Sequence, residues 1–272
     1  MKNWLKDKTV IVTGASGGIG KEICRLLIVR YGANVIGIGR SEEKMLAFIQ
    51  ELQEFAGKFS YRIFDVARKD SWEDFAKDIQ GKSEDVTLLV HNAGVFPTFA
   101  RVEDTSLETL DSVMQTNFYS AVYGNQAFMP IVFAKDKGGI VHICSSAGLC
   151  TIVGTMAYSV SKSALKAYVE SLALDKKGKY VGIVYPGTTK TDLFRNEEQT
   201  KDSALDKIAM PATKMAKKIV KKIYKRRKRA VVGWDAKLMN FTAKIMPVKG
   251  PALIRNVIQK ANSKVFKNVF NK

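Results

Sequence analysis

The chain has 272 residues, 46% of them hydrophobic, enough to bury one substantial core within one large α/β domain. Its three cysteines and two histidines are too few and too scattered for a disulfide framework or a tetrahedral zinc site, so no metal site is expected. No uncharged apolar run reaches the roughly 18 residues of a membrane span and no leader-like stretch follows Met1, so a soluble or peripheral protein in a reducing, cytoplasmic setting is expected.

The net charge of +18 is unevenly spread. Residues 1–210 hold 26 Lys and Arg and 25 Asp and Glu, whereas residues 211–272 hold 18 Lys and Arg and one acid, Asp235. The charge thus divides the chain into a main domain over 1–210 and a basic helical extension over 211–272, packed on that domain or appended to it.

In chain order, apolar runs over 8–14, 33–39, 59–66, 86–94, 139–146 and 180–187 read as strands. Each is short and continuously apolar, as strands covered on both faces are. Helix-like segments over 18–31, 42–55, 71–79, 107–134 and 157–174 separate them. This alternation predicts an α/β fold, a doubly wound parallel sheet of six or seven strands with helices on both faces.

The first strand runs into Thr13-Gly-Ala-Ser-Gly-Gly-Ile-Gly20 and then directly into a helix. Glycines between strand and helix let a pyrophosphate approach the backbone, where free N–H groups and the helix dipole face the anion. Gly14, Ser16, Gly18, Ile19 and Gly20 are thus cofactor candidates. At the end of the second strand a carboxylate would hold a ribose 2′-hydroxyl, but the chain reads Gly39-Arg40-Ser41. With no acid before Glu42, Arg40 favours a 2′-phosphate, hence NADP(H).

Further along lie Asn92-Ala-Gly94, Asn117, Ser145 and Tyr158-Ser-Val-Ser-Lys162, with Ser145 thirteen residues before the tyrosine and Lys162 four after it. With the TGxxxGxG turn and Pro186-Gly187 followed by Thr191, this set resembles the short-chain dehydrogenase/reductase family over residues 8 to 195. The resemblance implies a Rossmann fold, hydride transfer between NADP(H) and a carbonyl or alcohol, and catalysis by Asn117, Ser145, Tyr158 and Lys162. Tyr158 and Lys162 share a helix face, so the ammonium favours the phenolate and Tyr158 can act as general acid/base. Ser145 would hold the substrate oxygen. By resemblance, Lys162 also binds the cofactor ribose, and Asn117 holds a water linking Lys162 to solvent. The same resemblance implies that Asp65 and Val66 contact adenine and that Asn92, Ala93, Gly94, Pro186, Gly187, Thr189 and Thr191 complete the cofactor site. His91 stands where this family usually has Asn and reads as a packing variant. Cys144 and Cys150 read as small core residues.

The family places the substrate cleft under the segment after the sixth strand, here 192–210. Leu193, Phe194, Val95, Phe96, Phe99, Leu149, Ile152 and Val153 are candidate walls, and their apolar character suggests a lipophilic small-molecule substrate. The resemblance also implies a homodimer or homotetramer paired through 107–134 and 157–174. In the basic region three amphipathic segments follow: Met215, Ile219, Val220 and Ile223 share one face, then Leu238, Phe241, Thr242 and Ile245, then Ile254, Val257, Ile258, Ala261, Val265 and Val269. Such helices can lie on an anionic membrane surface, or can dock on the domain and leave their lysines in water. Nucleic acid is disfavoured because aromatics are not interleaved with the basic run. The alternative to an enzyme is a dinucleotide-binding sensor or membrane-associated scaffold that keeps the fold without the chemistry.

Overall fold

The computed structural model describes residues 3–82, 85–194, 208–261 and 264–270. Seven parallel strands form the main sheet in the order β3-β2-β1-β4-β5-β6-β9: β1 Thr9–Thr13, β2 Asn34–Gly39, β3 Phe59–Ile63, β4 Val86–His91, β5 Gly139–Ile143, β6 Tyr180–Pro186 and β9 Arg229–Val232. The order reverses between β1 and β4, which opens a crevice at the carboxyl ends of the strands. Two short strands, β7 Thr189–Lys190 and β8 Met210–Pro211, pair beside it.

Alternate residues of each strand feed two cores. Val10, Val12, Val35, Leu88 and Val141 face one layer, formed by α1 Gly18–Tyr31, α2 Glu42–Leu52 and α7 Ala212–Tyr224. Ile11, Ile36, Leu89, Ile140 and Val181 face the other, formed by α3 Lys69–Gly81, α5 Ser120–Phe133 and α6 Met156–Asp175. All six expected strands form; five are almost wholly buried, while β3, Phe59-Ser-Tyr-Arg-Ile at the sheet edge, is only partly covered.

Four features depart from the sequence reading. The expected helix over 107–134 is α4 Leu107–Met114, a π-helical turn Gln115–Tyr119 and then α5. That widened turn carries Asn117, and such insertions often mark functional sites. Next, the first amphipathic segment of the basic region is a helix that ends at Tyr224; after a turn the chain extends as β9, whose Ala230 and Val232 pair with β6 and enter the core. The change of charge at residue 211 therefore falls inside the layered fold, since α7 packs along α1 and β9 forms a sheet edge. Finally, α8 Trp234–Ile245 buries Ala236, Met239 and Thr242, leaving Leu238, Phe241 and Ile245 exposed although the sequence grouped them with Thr242. Close packing explains this choice: α9 Lys249–Lys260 crosses α8 where Gly250 meets the Thr242 carbonyl, and a Cβ on Gly250 would lie 2.7 Å from that oxygen. The last expected helix is likewise divided, with a 3-10 turn Lys264–Phe266 and a short helix Lys267–Phe270 after α9.

Candidate active site

A cleft of about 470 Å³ lies across the carboxyl ends of β1, β2, β4 and β5. Its lining includes Gly14, Ser16, Gly18, Ile19, Arg40, Asp65, Val66, Asn92, Ala93, Gly94, Ser145, Tyr158, Lys162, Pro186, Gly187, Thr189 and Thr191. Two candidates do not line it. Gly20 instead lets α1 start tightly against β1, since a Cβ there would sit 2.1 Å from the Gly14 carbonyl oxygen. Asn117 lies behind the wall at Val95.

The glycine turn is built for close approach. Gly14 adopts φ +67 and Gly18 φ +53, backbone positions that favour glycine. No side chain caps the start of α1, and its first turn holds no acidic residue, so its N–H groups and positive dipole end are available to an anion. Thr13 Oγ1 accepts from the backbone N–H groups of Asn92 and Ala93, each at 2.9 Å, which ties the turn to the end of β4. Asp65 accepts from Ala67 N at 3.0 Å as a strand-end cap while still lining the cleft.

Arg40 is exposed and makes no hydrogen bond or ion pair among the described residues. Glu42, the nearest acid in sequence, accepts from the Tyr61 hydroxyl at 3.0 Å and does not line the cleft. Lys44 does line it, four residues beyond Arg40. The sequence reading missed this second cation, although the i, i+4 spacing offered the signal.

Tyr158 and Lys162 sit one turn apart on α6, only 5% and 3% exposed, with Lys162 Nζ 5.5 Å from the centre of the phenol ring. The Ser145 hydroxyl accepts from Ala147 N at 3.1 Å, and Ser145 and Tyr158 together line the cleft. Burial raises the phenol above its ordinary range, and the nearby Ser145 hydroxyl only partly opposes this. Burial likewise lowers Lys162. The spacing argument expected the ammonium to favour phenolate; in the chain alone, desolvation is the larger influence and holds Tyr158 as a neutral phenol. Asn117 accepts from Val95 N at 2.7 Å and donates to Val95 O at 2.9 Å and Ser161 Oγ at 3.1 Å. It thereby fixes the wall beside Lys162.

A second cavity, about 310 Å³ and mostly apolar, meets the first at Ser145 and Tyr158. Of the expected walls, Phe96, Phe99 and Ile152 line it. Val95 and Leu193 line the first cleft instead, Leu149 packs in the core, and Val153 packs against the C-terminal cluster. Residues 195–207 of the expected covering segment lie outside the described residues. Much of the remaining wall comes from the basic region, including Trp234, Leu238, Met239, Ile254, Ile258 and Phe266. Asp235 was also missed. Its carboxylate accepts from Thr188 N at 2.6 Å and packs against Gly187, where a Cβ would lie 2.1 Å from Asp235 Oδ1. Its isolation among 18 cations was the available signal.

His91 lines neither cleft. It stacks on His142 at 4.9 Å, and Asn125 bridges the two rings at 3.0 and 3.1 Å. Burial lowers His91 from 6.5 to about 4, so both its environment and its charge state are those of a packed core residue. Burial also raises Cys144 to about 11, which keeps it an unreactive thiol.

A family model described as short chain dehydrogenase matches residues 8–202. Cyclopentanol dehydrogenase of Comamonas testosteroni is 31% identical over 191 residues, which cover 70% of this chain and 76% of that protein. The 3-ketodihydrosphingosine reductase of Bos taurus is 30% identical over 253 residues, covering 88% of this chain and 75% of that protein. Among solved structures, a short chain dehydrogenase of Shigella flexneri complexed with NADP has a TM-score of 0.76 and 26% identity, covering 87% of this chain and all of that one. The crevice at the strand reversal, the glycine turn and the Ser-Tyr-Lys cluster define a dinucleotide-dependent oxidoreductase. The chain belongs to the short-chain dehydrogenase family.

Proposed function

We propose that the protein is an NADP(H)-dependent oxidoreductase acting on a lipophilic carbonyl or alcohol, with Tyr158 as general acid/base. One observation carries this reading: the cofactor-sized cleft and the apolar cavity meet at Ser145 and Tyr158, with Lys162 buried behind them. Burying a lysine is costly, and a module that only bound a dinucleotide would gain nothing from a proton donor there.

The residues present fit a dinucleotide phosphate. The uncapped start of α1 and Gly14, Gly18 and Ile19 would hold the pyrophosphate, Asp65 and Val66 the adenine, and Arg40 with Lys44 a 2′-phosphate. The NADP bound to the Shigella relative supports the same choice. When bound, the reduced nicotinamide supplies hydride to the substrate carbon. Ser145 would orient the carbonyl oxygen, and Tyr158 would deliver its proton to that oxygen. A phenol held neutral by burial is in the state that reduction requires. As phenolate forms, the adjacent Lys162 offsets its charge, while Asn117 holds the Gly94–Val95 wall in register.

The apolar cavity supports a lipophilic substrate over a sugar. Three free, buried cysteines suit a reducing, cytoplasmic setting. Leu107 and Tyr119 along 107–133 and Val160 on α6 are exposed apolar side chains suited to pairing with a second copy, which we read as a homodimer or homotetramer.

The test is a panel of ketones and aldehydes with NADPH and with NADH, followed by loss of nicotinamide absorbance. Turnover of apolar carbonyls with preference for NADPH is expected, and Arg40→Asp should cut that preference about tenfold or more by repelling the 2′-phosphate. Equal use of both cofactors by the wild type would refute the reading of Arg40.

A further inference from the structure

Large apolar side chains remain exposed on two consecutive helices: Trp234, Leu238, Phe241 and Ile245 on α8, and Leu253 and Val257 on α9, each between 49% and 61% exposed. On α8 they recur at i, i+4, i+7 and i+11, which gathers them on one face. Lys237 and Lys244 are exposed beside that stripe. On α9, Lys249 and Lys260 continue the row of Leu253 and Val257 at its two ends, again exposed. Trp234, Leu238, Leu253 and Val257 have a second aspect, for they also line the apolar cavity. The exposed stripe is thus the outer rim of the cavity.

We propose that this face of α8 and α9 docks on an anionic bilayer surface, so that the cavity opens toward the lipid. The part concerning substrate entry rests on the proposed function; the docking does not. Charge complementarity selects the occupant. Among the described residues from 212 to 270 no ion pair neutralises these lysines, so an apolar stripe with a positive border faces outward. A second copy docked by the same face would bring lysine against lysine, whereas anionic headgroups complement the border and the acyl boundary accepts the stripe. No helix of the described residues is long and apolar enough to cross a membrane, so the contact is one of surface docking.

The experiment sediments the full chain with phosphatidylcholine vesicles, with and without phosphatidylserine, at low and at physiological ionic strength. Binding should require phosphatidylserine and weaken with salt as the Debye length falls to about 8 Å. Trp72 is fully buried and Trp4 donates its indole N–H to the Tyr224 carbonyl, so a blue shift on binding would report Trp234. Two paired variants, Phe241→Ser with Ile245→Ser and Lys237→Glu with Lys244→Glu, should each reduce partitioning about tenfold or more. None of these four residues lines either cleft, so both variants should still oxidise NADPH with a small soluble ketone. A wild-type protein that ignores phosphatidylserine vesicles at low salt would overturn the docking. So would vesicle binding unchanged in both variants, or a dimer that the serine variant dissolves while wild type ignores vesicles. Vesicle binding without turnover of any carbonyl would instead overturn the proposed function and leave the docking intact.

Discussion

Residues up to 194 and residues from 212 onward use charge in opposite ways. In the first region cations and anions are matched: Lys21 and Arg25 converge on Glu51 at 2.7 and 2.6 Å, Arg62 and Lys82 on Asp78, and Lys8 and Lys135 on Asp85. In the second, no ion pair occurs among the described residues, and the single acid, Asp235, is held by a backbone N–H. The apolar residues show no such division. Met215, Ile219, Val220 and Ile223 of α7 are as fully buried as Ile23, Leu27 and Ile28 of α1, against which that helix packs. Charge reports what the outer surface meets, whereas apolar periodicity reports what the fold contains, so the two boundaries need not coincide.

Removing residues 212–272 is the most severe test of that contrast. Truncation uncovers the apolar face of α1 and strips β9 from the sheet, so loss of the cooperative melting transition is expected by calorimetry. A truncated chain melting near the wild-type temperature would mean that the charge boundary is also a boundary of the fold. A smaller but sharper effect is expected at the other end of the contrast, where the proposed chemistry lies. Tyr158→Phe keeps the ring in place and removes the transferable proton, so turnover should fall by about 10²–10⁴-fold with melting and NADPH binding near wild type. Turnover within a few fold of wild type would sink the role of Tyr158.

The same contrast explains what was legible in the sequence. Five strands of the first region could be read because each is a largely apolar run such as Val86-Thr-Leu-Leu-Val, and such runs declare themselves locally, whereas the edge strand β3 mixes Ser60 and Arg62 into its run. The candidate residues of the turn, of β4 and of α6 could be read because short spacings along one strand or helix fix their proximity. The four residues of β9 could not: Arg229-Ala-Val-Val follows a run of basic residues, and what makes it a strand is β6, more than forty residues earlier. The cavity walls on α8 and α9 were hidden for the same reason. Amphipathicity showed that each helix has a preferred face, but Gly250 crossing against Thr242 decided which face turns inward.

Acid should separate the two regions next. Both histidines lie in the first, buried together at the centre of the fold. His91 is lowered from 6.5 to about 4, so between those values the unfolded chain takes up a proton that the native chain excludes. Stability from this group is therefore present above about pH 6.5 and is lost as pH falls toward 4, amounting to about 3 kcal/mol. His142 is shifted in the same direction by burial and by the neighbouring ring. Melting temperature should fall from pH 7 to pH 5, and His91→Asn should flatten the slope. An unchanged slope in that variant would show that the histidine pair does not govern acid sensitivity.

The smallest expected effect tests the point at which the two regions join. Asp235 stands at the start of α8, yet its carboxylate accepts from Thr188 N and packs on Gly187, in the turn that lines both clefts. A charge-assisted bond of this kind contributes about 1.5–3 kcal/mol, and Asp235→Asn keeps the shape while weakening it. If Asp235 only anchors α8, the substitution should lower the melting temperature and leave kinetics alone. If it positions the Pro186–Thr189 turn for the cofactor, KM for NADPH should rise several-fold with kcat nearly unchanged, and Asp235→Ala should raise it further. The second outcome is expected, because the carboxylate touches the cleft-lining turn itself. It would make the single acid of the basic region the residue through which that region acts on the site.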